Sequence, residues 1–289
     1  MARLSKNIRY VIYTAIIVVC FVSVILAIFD AIFLNEDTSN YVVPPLASNS
    51  QTQEEEIPEI EETMDVRVTN FKNSFKNEVF IGNYDTSAIE KTDESKDIVY
   101  TAAKVEDETE LYNVNINIPL ININNSVIQS FNMNTQEIFV EQANKVMQNS
   151  SVKTIYTVDY VGYVNGDILS LVIMSTIKEG EKAQQVIVQT YNYNLKTKKA
   201  VTAEEILTSL QYDIATVNDQ IKREIEQVSE DAAILQQSGY ESYTRNPEDK
   251  QYLVENAKTY YLGENGALFM IYAYGNNDLT SEIDIIRFD

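Results

Sequence analysis

Twenty consecutive residues, Tyr10 to Phe29, carry no charge, and no other feature restricts this chain's architecture as strongly. At helical rise such a run spans about 30 Å, the thickness of a bilayer's hydrocarbon core. Arg3, Lys6 and Arg9 precede it and Glu36 and Asp37 follow it. The positive-inside bias therefore places the N-terminus in the cytoplasm. A secretory signal would have a shorter apolar core and a small-x-small cleavage site just after it. Here the segment closes Phe29-Asp30-Ala31-Ile32-Phe33-Leu34, and Cys20 has Val19 before it and Phe21 after it, which excludes a lipoprotein signature. The expectation is an uncleaved single-pass anchor in a cell membrane. Residues 1–9 would be cytoplasmic, 10–34 a transmembrane helix, and the C-terminal domain extracytoplasmic.

Charge separates the two sides further. The whole chain has 43 acidic and 22 basic residues; the part beyond the anchor has 42 and 19, a formal net charge of −23. Such a surface repels phosphate backbones and anionic headgroups and favours cationic partners, so nucleic acid is not an expected ligand. Histidine is absent and Cys20 is the only cysteine. That removes the histidine triads, histidine-ligated zinc, imidazole bases and thiol nucleophiles. No catalytic, cofactor-binding or metal-binding residue is expected.

Residues 35–98 read as an acidic stalk or linker. The stretch contains Pro44-Pro45 and the run Glu54-Glu55-Glu56-Ile57-Pro58-Glu59-Ile60-Glu61-Glu62, too polar to offset its ordering entropy. Within it Val66, Val68, Phe71, Phe75, Val79, Phe80 and Ile81 leave residues 65–98 ambiguous. From Tyr112 the pattern is regular. Val114, Ile116 and Ile118 alternate with Asn113, Asn115 and Asn117, a half-buried strand, which Pro119 should end. Ile128, Phe131, Ile138, Phe139, Ala143, Val146 and Met147 mark an amphipathic helix capped by Asn125 or Ser126. Strands 155–164 and 168–177 flank Asn165-Gly166, a hairpin signal, and a third strand covers about 184–195. Thr202-Ala203-Glu204-Glu205 is a capping-box signature opening a long helix with Ile206, Leu207, Leu210, Ile214, Val217, Ile221, Ile225 and Val228 on one face. A hairpin with arms 259–262 and 267–274 and a strand 283–288 follow. The expected class is α+β, with antiparallel sheet covered by amphipathic helices on one face, after one transmembrane helix. Residues 99–200 and 201–289 would form its first and second α+β units.

Two groups of side chains are candidates for function. Asp159 with Asp167, and Asp278 with Glu282 and Asp284, could supply a carboxylate pair if a cleft held them about 5–10 Å apart; isolated acids near turns more often cap or solubilise. Nine tyrosines (156, 160, 163, 191, 193, 260, 261, 272, 274) fall on expected strands. Packing beneath helices accounts for most of them. Tyr160, Tyr163, Tyr191, Tyr193, Tyr272 and Tyr274 are the candidate ligand-binding face, since tyrosine offers large contact area at low entropic cost.

The strand Asn113-Val114-Asn115-Ile116-Asn117-Ile118-Pro119, its helix and the meander from Asp159-Tyr160 to Ser170-Leu171-Val172 resemble part of an exported bacterial module. Val201-Thr202-Ala203-Glu204-Glu205-Ile206-Leu207, the helix after it and Gly263-Glu264-Asn265-Gly266-Ala267-Leu268-Phe269 complete the likeness. The module is the paired ectodomain of the lysozyme-sensing anti-sigma factors (RsiV type), similar also to one beside PdaC-type peptidoglycan deacetylases. Nine cytoplasmic residues are too few for an anti-sigma segment, and neither that segment nor a deacetylase domain is expected here. The resemblance therefore implies a tethered binding or sensing module at the cell envelope, with lysozyme or another cationic cell-wall-active protein as partner. A cell-wall-acting enzyme using an Asp/Glu pair, or a structural partner of another membrane protein, are the alternatives.

Overall fold

The computed structural model describes residues 63–82, 84–275 and 281–289. The expected anchor at 10–34 and most of the stalk lie outside the described residues. Among those described, no helix is long and apolar enough to cross a membrane.

Among the described residues, ten strands form two sheets. The larger contains β1 (Glu78–Ile81), β2 (Val99–Glu108), β3 (Tyr112–Ile121), β4 (Thr154–Asn165), β5 (Ile168–Glu179), β6 (Gln185–Asn194) and β7 (Lys199–Ala200), and the smaller β8 (Tyr260–Leu262), β9 (Leu268–Tyr274) and β10 (Glu282–Phe288). The four α-helices among the described residues are α1 (Met64–Asn73), α2 (Ser126–Asn149), α3 (Ala203–Ser209) and α4 (Ile214–Gln237). The α+β class holds, but the expectation of purely antiparallel sheet does not. The helix α2 carries the chain from β3 back to a parallel neighbour, β4, and β1 pairs parallel with the far half of β4. Strands β1 and β3 thus lie end to end along one edge of β4. Asn77, at φ 58°, fills the gap between them. Its N–H donates to Tyr160 O (2.9 Å) and its Oδ1 accepts from Tyr160 N (3.0 Å). Gly162 allows the close approach of β1, because a Cβ there would lie 2.9 Å from Val79 Cγ2.

Alternation along β4 divides the core. Tyr156, Val158 and Tyr160 face α2, packing with Ile128, Phe139, Ala143 and Val146. Val161 and Tyr163 join Val172 and Val186 against Tyr261, Ile271, Ile283 and Ile285 of the smaller sheet. The opposite side of that sheet, Leu268, Met270, Tyr272, Ile286 and Phe288, meets Ile206 and Leu207 of α3 and Val217, Ile221 and Ile225 of α4. The layers run helix, sheet, sheet, helices. Helix α2 covers one face of the larger sheet, and α3 with α4 one face of the smaller. The remaining faces meet each other over part of their area, with α1 packed into the same cluster, so the two expected units share a buried core.

Polar side chains of the larger sheet fasten β8 to it. Asn192 Nδ2 donates to Tyr260 O (2.8 Å), and Thr190 Oγ1 accepts from Tyr260 N (3.1 Å). Ser170 Oγ accepts from Leu262 N (3.0 Å) while donating to Asn192 Oδ1 (2.6 Å).

Several local expectations shift. Residues from Met64 onward belong to the folded body, because α1 buries Phe71 between the sheets. Pro119 does not end β3: it lies where β2 bulges between Thr101 and Ala103, and β3 has already parted from β4 after Ile116. A missing N–H costs little there. In the β4–β5 turn Asn165 pairs with Ile168, so Gly166 and Asp167 form the loop and only Gly166 is left-handed (φ 54°). The capping box at Thr202 and Glu205 is present, but the helix it opens stops at Ser209. There Gln211 N donates to Thr208 O and Tyr212 N to Leu207 O, with Gln211 at φ 64°. This is a Schellman closure with glutamine in the position usually held by glycine. Asp213 then caps α4 by accepting from Thr216 N (2.9 Å).

Candidate functional site

The six candidate tyrosines do not form one face. Tyr160, Tyr191 and Tyr193 lie beneath α2, where Tyr191 stacks on Phe131 with ring centroids 4.1 Å apart and Tyr160 Oη pairs with Thr101 Oγ1 (3.0 Å). Tyr163 lies between the sheets, stacked on Phe80 and on Tyr261. Tyr272 and Tyr274 sit on the far side of the smaller sheet, with Tyr252 edge-on to Tyr272 and its hydroxyl 2.7 Å from that of Tyr274. Spacing by two puts each pair on one side of its strand, and in this fold those sides point inward. Burial raises the hydroxyl pKa of Tyr191 to about 12, and it pushes Tyr156, Tyr261, Tyr272 and Tyr274 up further. Unfolded tyrosine ionises near pH ~10. The stabilisation these groups contribute is therefore complete below pH ~10 and is lost as pH rises through their folded values. In an alkaline titration, tyrosinate absorbance should rise in two stages, the second coinciding with loss of the circular dichroism signal. A single rise near pH ~10 with the fold intact would contradict this burial.

The carboxylates are equally informative. Six residues of strand separate Asp159 from Asn165, beyond which the chain turns through Asp167, a span of about 20 Å at strand rise and too far for the two to act as a pair. Asp159 Oδ1 accepts from Asn77 (2.8 Å) and Asn117 (3.0 Å). Asp278 lies outside the described residues. Glu282 and Asp284 are brought together by a residue that periodicity did not mark. Arg245 Nε and Nη2 donate to the two oxygens of Asp284 (3.0 and 2.9 Å), and its Nη1 lies 2.7 Å from Glu282 Oε2. The guanidinium also covers the Tyr274 ring at 4.6 Å. Arg245 and Asp284 are 5% and 2% exposed. Burial alone would lower the arginine's pKa, but the Asp284 and Glu282 carboxylates more than reverse that. This triad pins residues 242–245 to β10. Among the described residues, no three acidic or cysteine side chains converge on a metal-sized site.

Exposed apolar groups with unbalanced charge occur together at one end of the larger sheet. The β2–β3 turn, the C-terminus of α2, the start of β4 and the β5–β6 turn meet there. Thr154 N donates to Leu111 O (2.9 Å), Gly180 N to Lys153 O (2.8 Å), and Lys153 Nζ to Thr109 O (2.7 Å). Leu111, Val152 and Ile155 are 49%, 50% and 40% exposed. The same turns and strand ends carry Glu106, Asp107, Glu108, Glu110, Glu179 and Glu181. The neighbouring lysines are engaged: Lys104 with Glu106, Lys153 with Glu108, Lys182 with Glu179, and Lys178 with Lys182 O. A concavity of ≈ 460 Å³ opens between the turn and the helix end, lined by Thr109, Glu110, Leu111, Tyr112, Met147, Gln148 and Ser150. The signal missed in the sequence is the run Glu106-Asp107-Glu108-Thr109-Glu110, an acidic turn flanked by strands.

No protein-family model matches the chain, and neither does any curated protein. Among solved structures it is similar to a DUF3298 family member from Bacteroides fragilis, at 8% identity over 70% of this chain and 92% of that one, with a TM-score of 0.35. It is likewise similar to a DUF3298 family protein from Pseudomonas aeruginosa, at 11% identity over 63% of this chain and 84% of that one, with a TM-score of 0.34.

Proposed function

We propose that this chain is a membrane-anchored extracytoplasmic module of the bacterial cell envelope that binds or senses a cationic protein, lysozyme or another cell-wall-active protein being the partner class. The observation that carries the reading is the end of the larger sheet, where exposed Leu111, Val152 and Ile155 share the turns and strand ends that carry six carboxylates. Three of these carboxylates are paired with Lys104, Lys153 and Lys182, and the acidic excess that remains beside exposed apolar side chains gives a cationic partner both contact area and electrostatic attraction. The net charge of −23 beyond residues 10–34 has the same sign and steers such a partner from a distance. Anchoring rests on the uncharged run Tyr10–Phe29, and its orientation on the basic residues before it.

A double variant, Glu106→Lys with Glu181→Lys, reverses two exposed charges at this end. Its association rate with lysozyme at low salt should fall by roughly tenfold, and the salt dependence of that rate should flatten. An unchanged association rate would remove this end of the sheet from the contact.

A further inference from the structure

The concavity beside the acidic turn has a more specific chemistry than the patch around it, and its lining is rich in acceptors. Of the last carbonyls of α2, Val146 O is taken by Ser150 N (3.2 Å) and Ser150 Oγ (2.7 Å). Those of Met147, Gln148 and Asn149 receive no donor from the described residues. The last turn of this 24-residue helix contains no basic side chain, so its partial negative charge is uncompensated. On the facing wall Glu110 makes no hydrogen bond or ion pair among the described residues. Most donors on the turn are already used, Thr109 N on Tyr112 O and Leu111 N and Tyr112 N on Thr109 Oγ1, which leaves the Glu110 N–H and the Gln148 side-chain amide as the donors of the lining. Lys153 is occupied by Glu108 and the Thr109 carbonyl and does not line the space. Leu111, Met147 and the Tyr112 ring supply apolar walls.

The geometry points to a seat for one arginine side chain of a basic partner, its guanidinium held between Glu110 and the carbonyl end of α2 and its methylenes against Leu111 and Met147. A guanidinium brings five donors and no acceptor, matching a lining of carboxylate and free carbonyls, and its plane stacks on aromatic rings. This deepens the reading above and rests on it, taking the same end of the sheet as the contact.

The test uses the full chain with ¹³C-labelled methionine methyls, titrated with N-acetyl-arginine amide and, separately, with its uncharged near-isostere N-acetyl-citrulline amide. The Met147 methyl should shift saturably with the arginine probe, with a dissociation constant on the order of millimolar for so small a ligand, and not with citrulline. Met133, 63% exposed on the same helix and about 21 Å away along its axis, should not move. In Glu110→Gln the Met147 response should be lost while the other methyl signals keep their positions. A silent Met147, an equal response to citrulline, or a response surviving in Glu110→Gln would overturn the site. Lysozyme binding with a silent Met147 would leave the acidic-end reading standing without the arginine seat. A Met147 response in a chain that does not bind lysozyme would leave the seat and remove the proposed partner.

Discussion

Replacing Arg245 with methionine should lower the free energy of unfolding by about 3–5 kcal/mol, because it leaves Asp284 buried without its partner. Asp284 is 2% exposed and receives two of the arginine's donors, and Glu282 is drawn in by the third. Methionine fills much of the volume but neutralises nothing. A second variant, Arg245→Met with Asp284→Leu, should recover most of the loss, since desolvating both charges offsets much of what their attraction contributes. Urea unfolding of the three proteins measures this directly. Equal losses in the single and double variants would mean that packing of residues 242–245, rather than charge, fastens them to β10.

The contact between the sheets should prove nearly as sensitive. Ser170→Ala removes a hydroxyl that serves Leu262 N and Asn192 Oδ1 together. Two polar groups lose a partner at a site where Ser170 and Asn192 are 0% and 5% exposed. At about 1–3 kcal/mol for each stranded group, the expected loss is about 2–6 kcal/mol. Hydrogen exchange should show where it falls, with the Tyr260 and Leu262 amides exchanging faster and those of β4 little changed. Asn192→Ala acts on the same network through Tyr260 O, so the two substitutions should not be additive. A change in stability below ~0.5 kcal/mol would mean that hydrophobic contact alone, through Val161, Tyr163, Ile271 and Ile285, holds the sheets together.

Side-chain periodicity disclosed the elements that bury one face. The alternation at Val114, Ile116 and Ile118 and the capping box at Thr202 appear as read, and so does the recurrence along α2 except at Ile138, which is exposed while Asn132 and Thr135 complete the buried face. Strand β2 was not legible, because its edge position leaves Lys104, Glu106, Asp107 and Glu108 in solvent and only Val99 fully buried. An edge strand of charged residues avoids further pairing, and the same charges erase its period-two pattern. The break between α3 and α4 was hidden because glutamine occupies the left-handed position. The parallel pairing of β1 and β3 with β4 depends on contacts distant in sequence, which local periodicity does not encode. For the site, tyrosine spacing indicated shared faces correctly but not that those faces point inward. The exposed end of the sheet emerges only when residues 106–111, 147–155 and 179–182 are brought together in space.

The most direct test of the proposed function is calorimetry of the full chain with lysozyme, at low and at near-physiological salt. The account predicts saturable one-to-one binding that weakens as salt is added yet survives at physiological ionic strength, because Leu111, Val152 and Ile155 contribute apolar contact that salt does not screen. Heat that vanishes at physiological salt, or no heat at either concentration, would contradict it.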